Sequence, residues 1–406
     1  MANSLTFEQI STVLNDIAQQ ATGQKSIAAV NTSQFVAQAN TALQTGYDRV
    51  IGSISQVLDK TIFSTRPYSA KFKGLRKTNQ QWGNHVRKLT MIDDEWENDE
   101  RITTANENYS AVDMYKIKKG NVLQTNFYGG QVYQKHRTYF KDQLDQAFRS
   151  PEELGQFIAM YTQNTMDMIE QCHENMSRMC VANMIAAKNY WQTFTTTPDS
   201  SHDGYTGLHV VKLVTMYNDE NGTQLTADTV KQADNFVKFY KWACAKILSF
   251  SDKMTERSSL YHANISNKIV MRHTPKSEQQ LFIYSPDARL IDTTVLSDTY
   301  HNEFLKLNAY EKLNYWQNIE NPSGINVRAS TMLSDGSFFD SVTTEGVVSN
   351  IFAVLSDEEA MGLTTIRQWS STTPFNSAGG YWNVFYHFTD RYWNDITENC
   401  LVFVLE

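Results

Sequence analysis

The longest periodic pattern in the sequence is a stripe of apolar residues at steps of three and four positions. It follows Ser150-Pro151-Glu152-Glu153, where a serine N-cap, a proline at the first helical position and two acidic residues favour a helix start. The stripe predicts one helix over about residues 150–192, roughly 60 Å long. Ordinary helices have about 11–12 residues, so this length indicates the beam of an elongated subunit. A coiled coil is the weaker interpretation, because the stripe is imperfect and rich in Met.

Two other patterns precede this helix. Residues 1–60 have spaced apolar positions typical of two or three amphipathic helices without a core of their own, so we expect an arm that lies on something else. In residues 61–140 sparse apolar residues alternate with polar ones, and residues 93–101 form a charged run. This alternation predicts a long β-hairpin with a polar tip, because a structureless loop of that length is abnormal in a compact domain.

Helical and strand periods are mixed after the long helix. Residues 208–217 alternate as a strand, and Asn221-Gly222 predicts a tight hairpin turn. Residues 226–250 are helical in pattern, whereas residues 346–355 form an apolar strand. Because helices and strands do not alternate regularly, the sequence predicts an α+β fold rather than a doubly wound one. Further short strands are predicted at residues 268–271 and 280–284.

The last 26 residues combine a cluster of large aromatic residues at 381–393 with an apolar run at 400–405. A loose strand of this kind is an aggregation hazard, so we expect it to be tied into a sheet, in a core or a subunit contact. The aromatic cluster could also stack nucleic-acid bases, but among basic residues only Arg391 interleaves with it. Core packing is therefore the favoured interpretation.

Composition and charge narrow the class of protein. The chain has 406 residues and 41% hydrophobic residues, as expected of a globular protein, and its net charge of −8 weakly disfavours a dedicated nucleic-acid binder. Residues 66–149 hold 15 basic and 10 acidic residues, a net of +5, which leaves −13 for the remainder. This asymmetry suits docking between subunits, although an unevenly charged solvated surface explains it equally well.

Several classes of site and location have no support in the sequence. No apolar run approaches the ~20 residues needed to cross a bilayer, and residues 1–30 show no secretory pattern. Four Cys in a chain of this length indicate reduced thiols in an intracellular setting. No Gly-rich phosphate loop, HExxH or Cys-x-x-Cys motif is present. We therefore predict no catalytic, cofactor-binding or metal-binding residues, and His202 and His387 are assigned to a turn and to the core.

Two segments carry a resemblance to a known family. Residues 351–362 (IFAVLSDEEAMG) are a strand followed by an acidic turn, and residues 383–395 (NVFYHFTDRYWND) lead to the apolar run at 401–405. Together with the order of parts along the chain, they resemble the major capsid proteins of tailed bacteriophages, which have the Hong Kong 97-type fold. The C-terminal segment is similar to that of capsid proteins from short-tailed and gut phages.

The resemblance implies a division of the chain and a function. The protein would self-assemble through hexamers and pentamers into an icosahedral head around double-stranded DNA, with an E-loop of one subunit over its neighbour. Portal and possibly scaffold or decoration proteins would be further partners, assembly would take place in the host bacterial cytoplasm, and no membrane would be involved. The implied parts are the N-terminal arm (1–60), the E-loop (61–130), the peripheral domain with the spine helix (131–225), the axial domain (226–377) and a C-terminal return into the peripheral domain (378–406).

Charge selects candidate contacts between subunits. We expect basic side chains of the E-loop to meet acidic ones at the start of the spine helix. An encapsulin-like compartment of the same fold and, less well supported, a soluble α+β enzyme remain alternatives. The candidate contact residues are Lys116, Lys118, Lys119, Arg87, Lys88, Glu152 and Glu153.

Overall fold

A computed structural model gives the architecture of the chain. It describes residues 71–77, 86–92, 119–128, 130–143, 151–196, 207–257, 262–265, 268–291, 309–332, 338–340 and 346–406, together with Gln19, Tyr115 and Ile117. The predicted N-terminal helices therefore lie outside the described residues, except for Gln19, which is helical. Within the described part, none of the helices combines the length and hydropathy needed to span a bilayer.

The described part contains four α-helices and sixteen strands. The helices are α1 (Pro151–Thr196), α2 (Leu213–Asn221), α3 (Ala233–Met254) and α4 (Ser285–Leu290). The strands are β1 (Val86–Ile92), β2 (Asn121–Phe127), β3 (Gly130–Phe140), β4 (Val210–Lys212), β5 (His262–Ile265), β6 (Lys268–Met271), β7 (Gln279–Tyr284), β8 (Ala309–Leu313), β9 (Ile325–Val327), β10 (Ser330–Met332), β11 (Phe338–Asp340), β12 (Gly346–Val348), β13 (Ile351–Asp357), β14 (Met361–Thr372), β15 (Tyr381–Asn394) and β16 (Cys400–Val404).

Helix α1 confirms the predicted beam. It has 46 residues, begins at Pro151 and runs unbroken beyond the predicted end at about residue 192. One face packs on a three-stranded antiparallel sheet of order β14-β15-β3. Arg137 of β3 donates to Asn164 of the helix, and Asn394 of β15 donates to the Cys180 carbonyl at 2.9 Å. The middle of the long helix, between Asn164 and Cys180, is thus held by one face of this sheet.

A second, five-stranded sheet of order β4-β16-β13-β7-β8 forms the centre of the molecule. Strand β16 pairs antiparallel with β13 and parallel with β4, so the final strand lies inside the sheet, as its apolar run predicts. All five of its residues are buried. Val402 contributes to a core that includes α1, whereas Phe403 contributes to a second core with α3. Both faces of the central sheet are therefore covered, which explains the continuous apolar run.

Three local predictions are wrong. Residues 208–217 form only the short strand β4 before the chain turns into helix α2. Gly222 ends that helix at φ 64 instead of making a hairpin turn, because glycine tolerates the left-handed conformation required after the last helical residue. Residues 346–355 are divided into β12 and β13 at Asn350, which has φ 53.

The predicted domain boundaries stay a prediction, although two pairings bear on them. Strands β14 and β15 pair with each other across the predicted boundary at residues 377 and 378. Strand β16, predicted to return to the peripheral domain, pairs with β13 of the predicted axial domain.

Candidate subunit interface

The β1–β2 hairpin presents an apolar stripe to solvent. Its strands pair in antiparallel register, with Met91 opposite Val122 and Leu89 opposite Gln124. Leu89, Met91 and Val122 lie on one face and are 58%, 69% and 56% exposed. A two-stranded ribbon is marginally stable by itself and a contiguous exposed apolar surface marks an interaction site. The hairpin is therefore the strongest candidate for a contact with another subunit.

The other face of the hairpin is fixed to the body of the protein by Lys88. Its ammonium group lies 3.1 Å from Asp395 Oδ2 and 3.0 Å from Glu359 Oε2, and it also donates a hydrogen bond to Glu398. Asp395 and Glu398 lie in the connection between β15 and β16, and their side chains are only 2% and 6% exposed. The hairpin base is thus anchored by an ion pair that water hardly reaches.

Arg272 and Thr397 complete this ion cluster. The Arg272 guanidinium lies 3.1 Å from Glu398 Oε1 and donates to Thr397 Oγ1 at 3.0 Å. Thr397 in turn donates to Asp395 Oδ1 from its backbone N–H at 3.0 Å and from its hydroxyl at 2.5 Å. Two cations therefore balance two buried carboxylates in a turn whose geometry is fixed by hydrogen bonds, as a buried charge requires.

The spine helix contacts the same turn through Lys188. This lysine is 2% exposed and donates to the carbonyls of Ile396 and Glu398 at 2.7 and 2.9 Å. Burial lowers its pKa, which Cys400 and Asp395 partly oppose. One short turn thus joins the hairpin, the long helix and the two sheets.

The charges of this cluster shift one another's ionisation. Burial opposes the charge on Lys88, but Asp395 and Glu398 outweigh it and raise the pKa of Lys88. Burial also disfavours the Asp395 carboxylate, yet Lys88 and Arg272 hold the pKa of Asp395 below its usual range. The pKa of Glu398 is raised by burial, which Arg272 only partly offsets. Lys88 thus pairs with both Asp395 and Glu398, and Asp395 is the one whose charged form the cluster stabilises.

The chain enters the hairpin through a second anchor at residues 71–77. Arg76 makes a bidentate pair with Glu170 of α1, at 3.0 and 2.7 Å, and the Lys77 backbone N–H donates to the Leu363 carbonyl at 2.8 Å. Phe72 is fully buried in the core although its φ is 62, a strained value for a bulky residue. The burial of Phe72 in the core therefore stabilises a backbone conformation that is unfavourable for this residue by itself.

The predicted contact residues are not brought together as a single patch. Arg87 is exposed on β1, on the opposite face from Lys88, which is bound within the chain. Lys119 is exposed just before β2, whereas Lys116 and Lys118 lie outside the described residues. Glu152 and Glu153 lie in the first turn of α1.

Reasoning from the sequence did not identify Asp395, Glu398, Arg272 or Lys188. The one available signal was the Asp-x-Thr order at residues 395–397 between two predicted strands, which favours a turn closed by the aspartate side chain. Among the described residues, no three His, Cys, Asp or Glu side chains gather as a metal site would require.

Comparisons with known proteins agree with this architecture. The model of the family described as Phi29-like phage major capsid protein matches residues 10–404. Among solved structures, the capsid of Staphylococcus phage Andhra is similar at a TM-score of 0.50 and 10% identity, over 85% of this chain and 86% of the other. The capsid of cyanophage P-SCSP1u matches at a TM-score of 0.44 and 11% identity, over 84% and 89%. No curated protein matches the sequence. The fold is the α+β Hong Kong 97 type.

Proposed function

Because the chain belongs to the family of Phi29-like phage major capsid proteins, we propose that its copies build an icosahedral head from hexamers and pentamers around double-stranded DNA. Membership in the family makes it a structural protein of the virion capsid. The icosahedral arrangement of hexamers and pentamers and the double-stranded DNA inside the shell go beyond what family membership gives. Its physical basis is a subunit with a rigid long helix and an extended hairpin suited to contact neighbours.

The exposed apolar stripe of the hairpin is the observation that carries the proposed mode of assembly. Leu89, Met91 and Val122 face solvent, while Lys88 holds the hairpin base in place from the other side. Covering these side chains removes apolar surface from water, which favours association by about 25 cal/mol for each Å² buried. The anchor orients the stripe before contact, so less freedom is lost on assembly. The hairpin of each copy lies across a neighbouring copy.

The division into an arm (1–60), an E-loop (61–130), a peripheral domain (131–225 and 378–406) and an axial domain (226–377) belongs to the same proposal. In this arrangement the axial domains surround the symmetry axes and α1 forms the spine. The portal and scaffold or decoration proteins are further partners. Assembly takes place in the host bacterial cytoplasm before the DNA enters.

Sedimentation and negative-stain electron microscopy of the full chain test this function. Closed shells of megadalton mass are expected, whereas a discrete small oligomer under all salt and protein concentrations contradicts the proposal. The variant Leu89→Asp with Met91→Asp should remain folded but lose assembly, because both side chains are exposed in the subunit. Ile319→Asp is the matched control, since Ile319 is 78% exposed outside the hairpin.

A further inference from the structure

The three-stranded sheet has one face that α1 leaves open. In β15 the even-numbered residues from Trp382 to Asp390 are buried, and the β3 neighbours on the same face, Lys135 and Arg137, bind Met168 and Asn164 of the helix. The odd-numbered residues of β15 therefore point away from the helix, and they are only partly buried. We call this surface the open face. It carries half of the aromatic run that the sequence assigned to the core.

The open face contains rings and cations but no carboxylate. Its positions on β3 (even residues 130–140), β14 (367, 369 and 371) and β15 (odd residues 381–391) include no Asp or Glu. Trp369 and Phe140 are 41% and 46% exposed. In a chain of net charge −8, a surface of this size without an acidic residue favours an anionic partner that has flat rings of its own.

The rings are arranged in pairs that follow one another along the sheet. Each pair joins a residue of β15 to its neighbour on β14 or β3, and the three β15 residues span six positions, or about 20 Å. The distances between ring centroids are 3.9 Å for Trp369–His387, 5.6 Å for His136–Phe385 and 5.9 Å for Phe140–Tyr381. The result is a row of stacking platforms rather than a single ring.

Two arginines lie at one end of this row. The Arg367 guanidinium is 5.7 Å from the ring centroid of Trp369, which is wider than a packed contact of about 3.5–4.0 Å, so the side chain can turn to another partner. Arg391 lies on the same face of β15, and no carboxylate among the described residues pairs with either arginine. Both cations are therefore available to phosphate groups.

We propose that the open face binds single-stranded nucleic acid, with unpaired bases stacked on the ring pairs and phosphates at Arg367 and Arg391. Every base has a flat face, so stacking on aromatic rings needs no particular sequence. The side-chain amides of Gln134 and Asn383 lie among the rings and can both donate to and accept from base edges. This binding is separate from the proposed enclosure of double-stranded DNA, because the open face is exposed on the single subunit.

Two other occupants fit the surface less well. A DNA duplex has its base faces already stacked on one another, and two arginines across three strands provide little charge for its phosphates. An apolar surface of a second copy would bury the amides of Gln134 and Asn383 without hydrogen-bond partners, which costs free energy. Unpaired bases satisfy both the rings and the amides.

Fluorescence anisotropy of labelled oligonucleotides tests the proposal. The full chain is diluted below the concentration at which light scattering detects assembly, and it is titrated into a 12-nucleotide oligo(dT), an oligo(U) of the same length and a 12-base-pair duplex. We expect both single strands to bind, and the duplex to bind at least about tenfold more weakly. The tighter of the two single strands tells whether DNA or RNA is preferred. No binding of either single strand, or equal binding of the duplex, overturns the proposal.

Substitutions separate stacking from charge. Trp369→Ala should weaken binding of oligo(dT) by about tenfold or more, whereas Trp369→Phe should keep most of the affinity because it keeps a ring. Arg367→Gln with Arg391→Gln should make the slope of log K against log salt shallower by about 1.4, since each phosphate contact to a single strand contributes about 0.7. Lys238→Gln with Lys241→Gln is the matched control, because it removes the same charge from exposed positions on α3. An unchanged affinity of Trp369→Ala, or equal slopes for the two double variants, contradicts the proposed site.

Photo-cross-linking locates the bound strand without any substitution in the protein. An oligo(dT) that carries 5-iodouracil is irradiated with the wild-type chain, and mass spectrometry identifies the linked peptides. We expect links to the peptides that contain Trp369, Tyr381 or Phe385. Links confined to other surfaces overturn the assignment. Impaired assembly of Trp369→Ala without any oligonucleotide binding by the wild-type chain assigns the face to a second copy and also overturns it. Because these tests use the subunit, a failure of the chain to form shells refutes only the proposed function.

Discussion

Lys88 Nζ lies 3.1 Å from Asp395 Oδ2, and this contact joins the base of an extended hairpin to the turn before the final strand. The two residues are far apart in the sequence, and both are largely buried. The position of the hairpin therefore depends on the folded C-terminal strands. The apolar stripe of the hairpin is therefore held in position only once the core of the subunit has folded.

Removing the Lys88 charge should destabilise the subunit. Lys88→Met keeps the alkyl chain but leaves Asp395 without its main cation, so we expect a loss of about 3 kcal/mol in the free energy of unfolding. Urea denaturation measures the loss, and proteolysis should cut the hairpin faster. The control is Arg87→Met, an exposed neighbour on the opposite face, which should change stability by less than about 0.5 kcal/mol. Equal effects of the two substitutions would contradict the anchoring role.

The pH dependence of stability should report the Asp395 carboxylate. Because the pKa of Asp395 is lowered in the folded state, its contribution is present above its unfolded pKa of about 3.9 and is lost as pH falls through the folded value. Asp395→Asn can still accept the hydrogen bonds of Thr397 but lacks the charge. The stability difference from wild type should be large at pH 7 and shrink below about pH 4. Urea unfolding at several pH values measures it, and a constant difference would exclude this role.

The sequence predicted those helices and strands whose apolar residues follow one clear pattern. The stripe at three- and four-residue steps located α1, and the apolar run at 400–405 located a strand covered on both faces. The ion cluster could not be predicted, because Lys88 and Glu398 are 310 residues apart and neither has a local motif. The aromatic run at 381–393 was assigned to the core as a whole. Only every second residue is buried over most of that strand. Because aromatic residues lie on both faces of β15, the two-residue alternation was not visible in the hydrophobic pattern.

Reversing the charge of the predicted basic patch should affect assembly and not folding. We expect Lys116→Glu with Lys118→Glu and Lys119→Glu to impair assembly more than it lowers the melting temperature of the monomer, because the charge of an exposed lysine such as Lys119 contributes only about 0–1 kcal/mol. Assembly measured by light scattering should weaken if these lysines meet acidic residues such as Glu152 and Glu153 on a neighbour. The neutral triple variant with Gln at the same positions should be intermediate. Normal shells from the Glu variant would rule out a docking role for this patch.

The final strand should be the most sensitive part of the fold to truncation of a side chain. Phe403 is fully buried and contacts Phe250 of α3, with 5.8 Å between the ring centroids. Phe403→Ala should cost about 3–5 kcal/mol, because the removed ring leaves a cavity between the central sheet and α3. Phe140→Ala is the matched control, since Phe140 is 46% exposed at the end of β3 and should cost far less. Thermal unfolding of both variants measures the contrast.

Since strand β16 pairs with both β4 and β13, a loss at Phe403 should also release the turn that holds Lys88, and the hairpin should become susceptible to protease in the same temperature range. A hairpin that stays protected while the central sheet unfolds would show that the anchor is independent of the final strand.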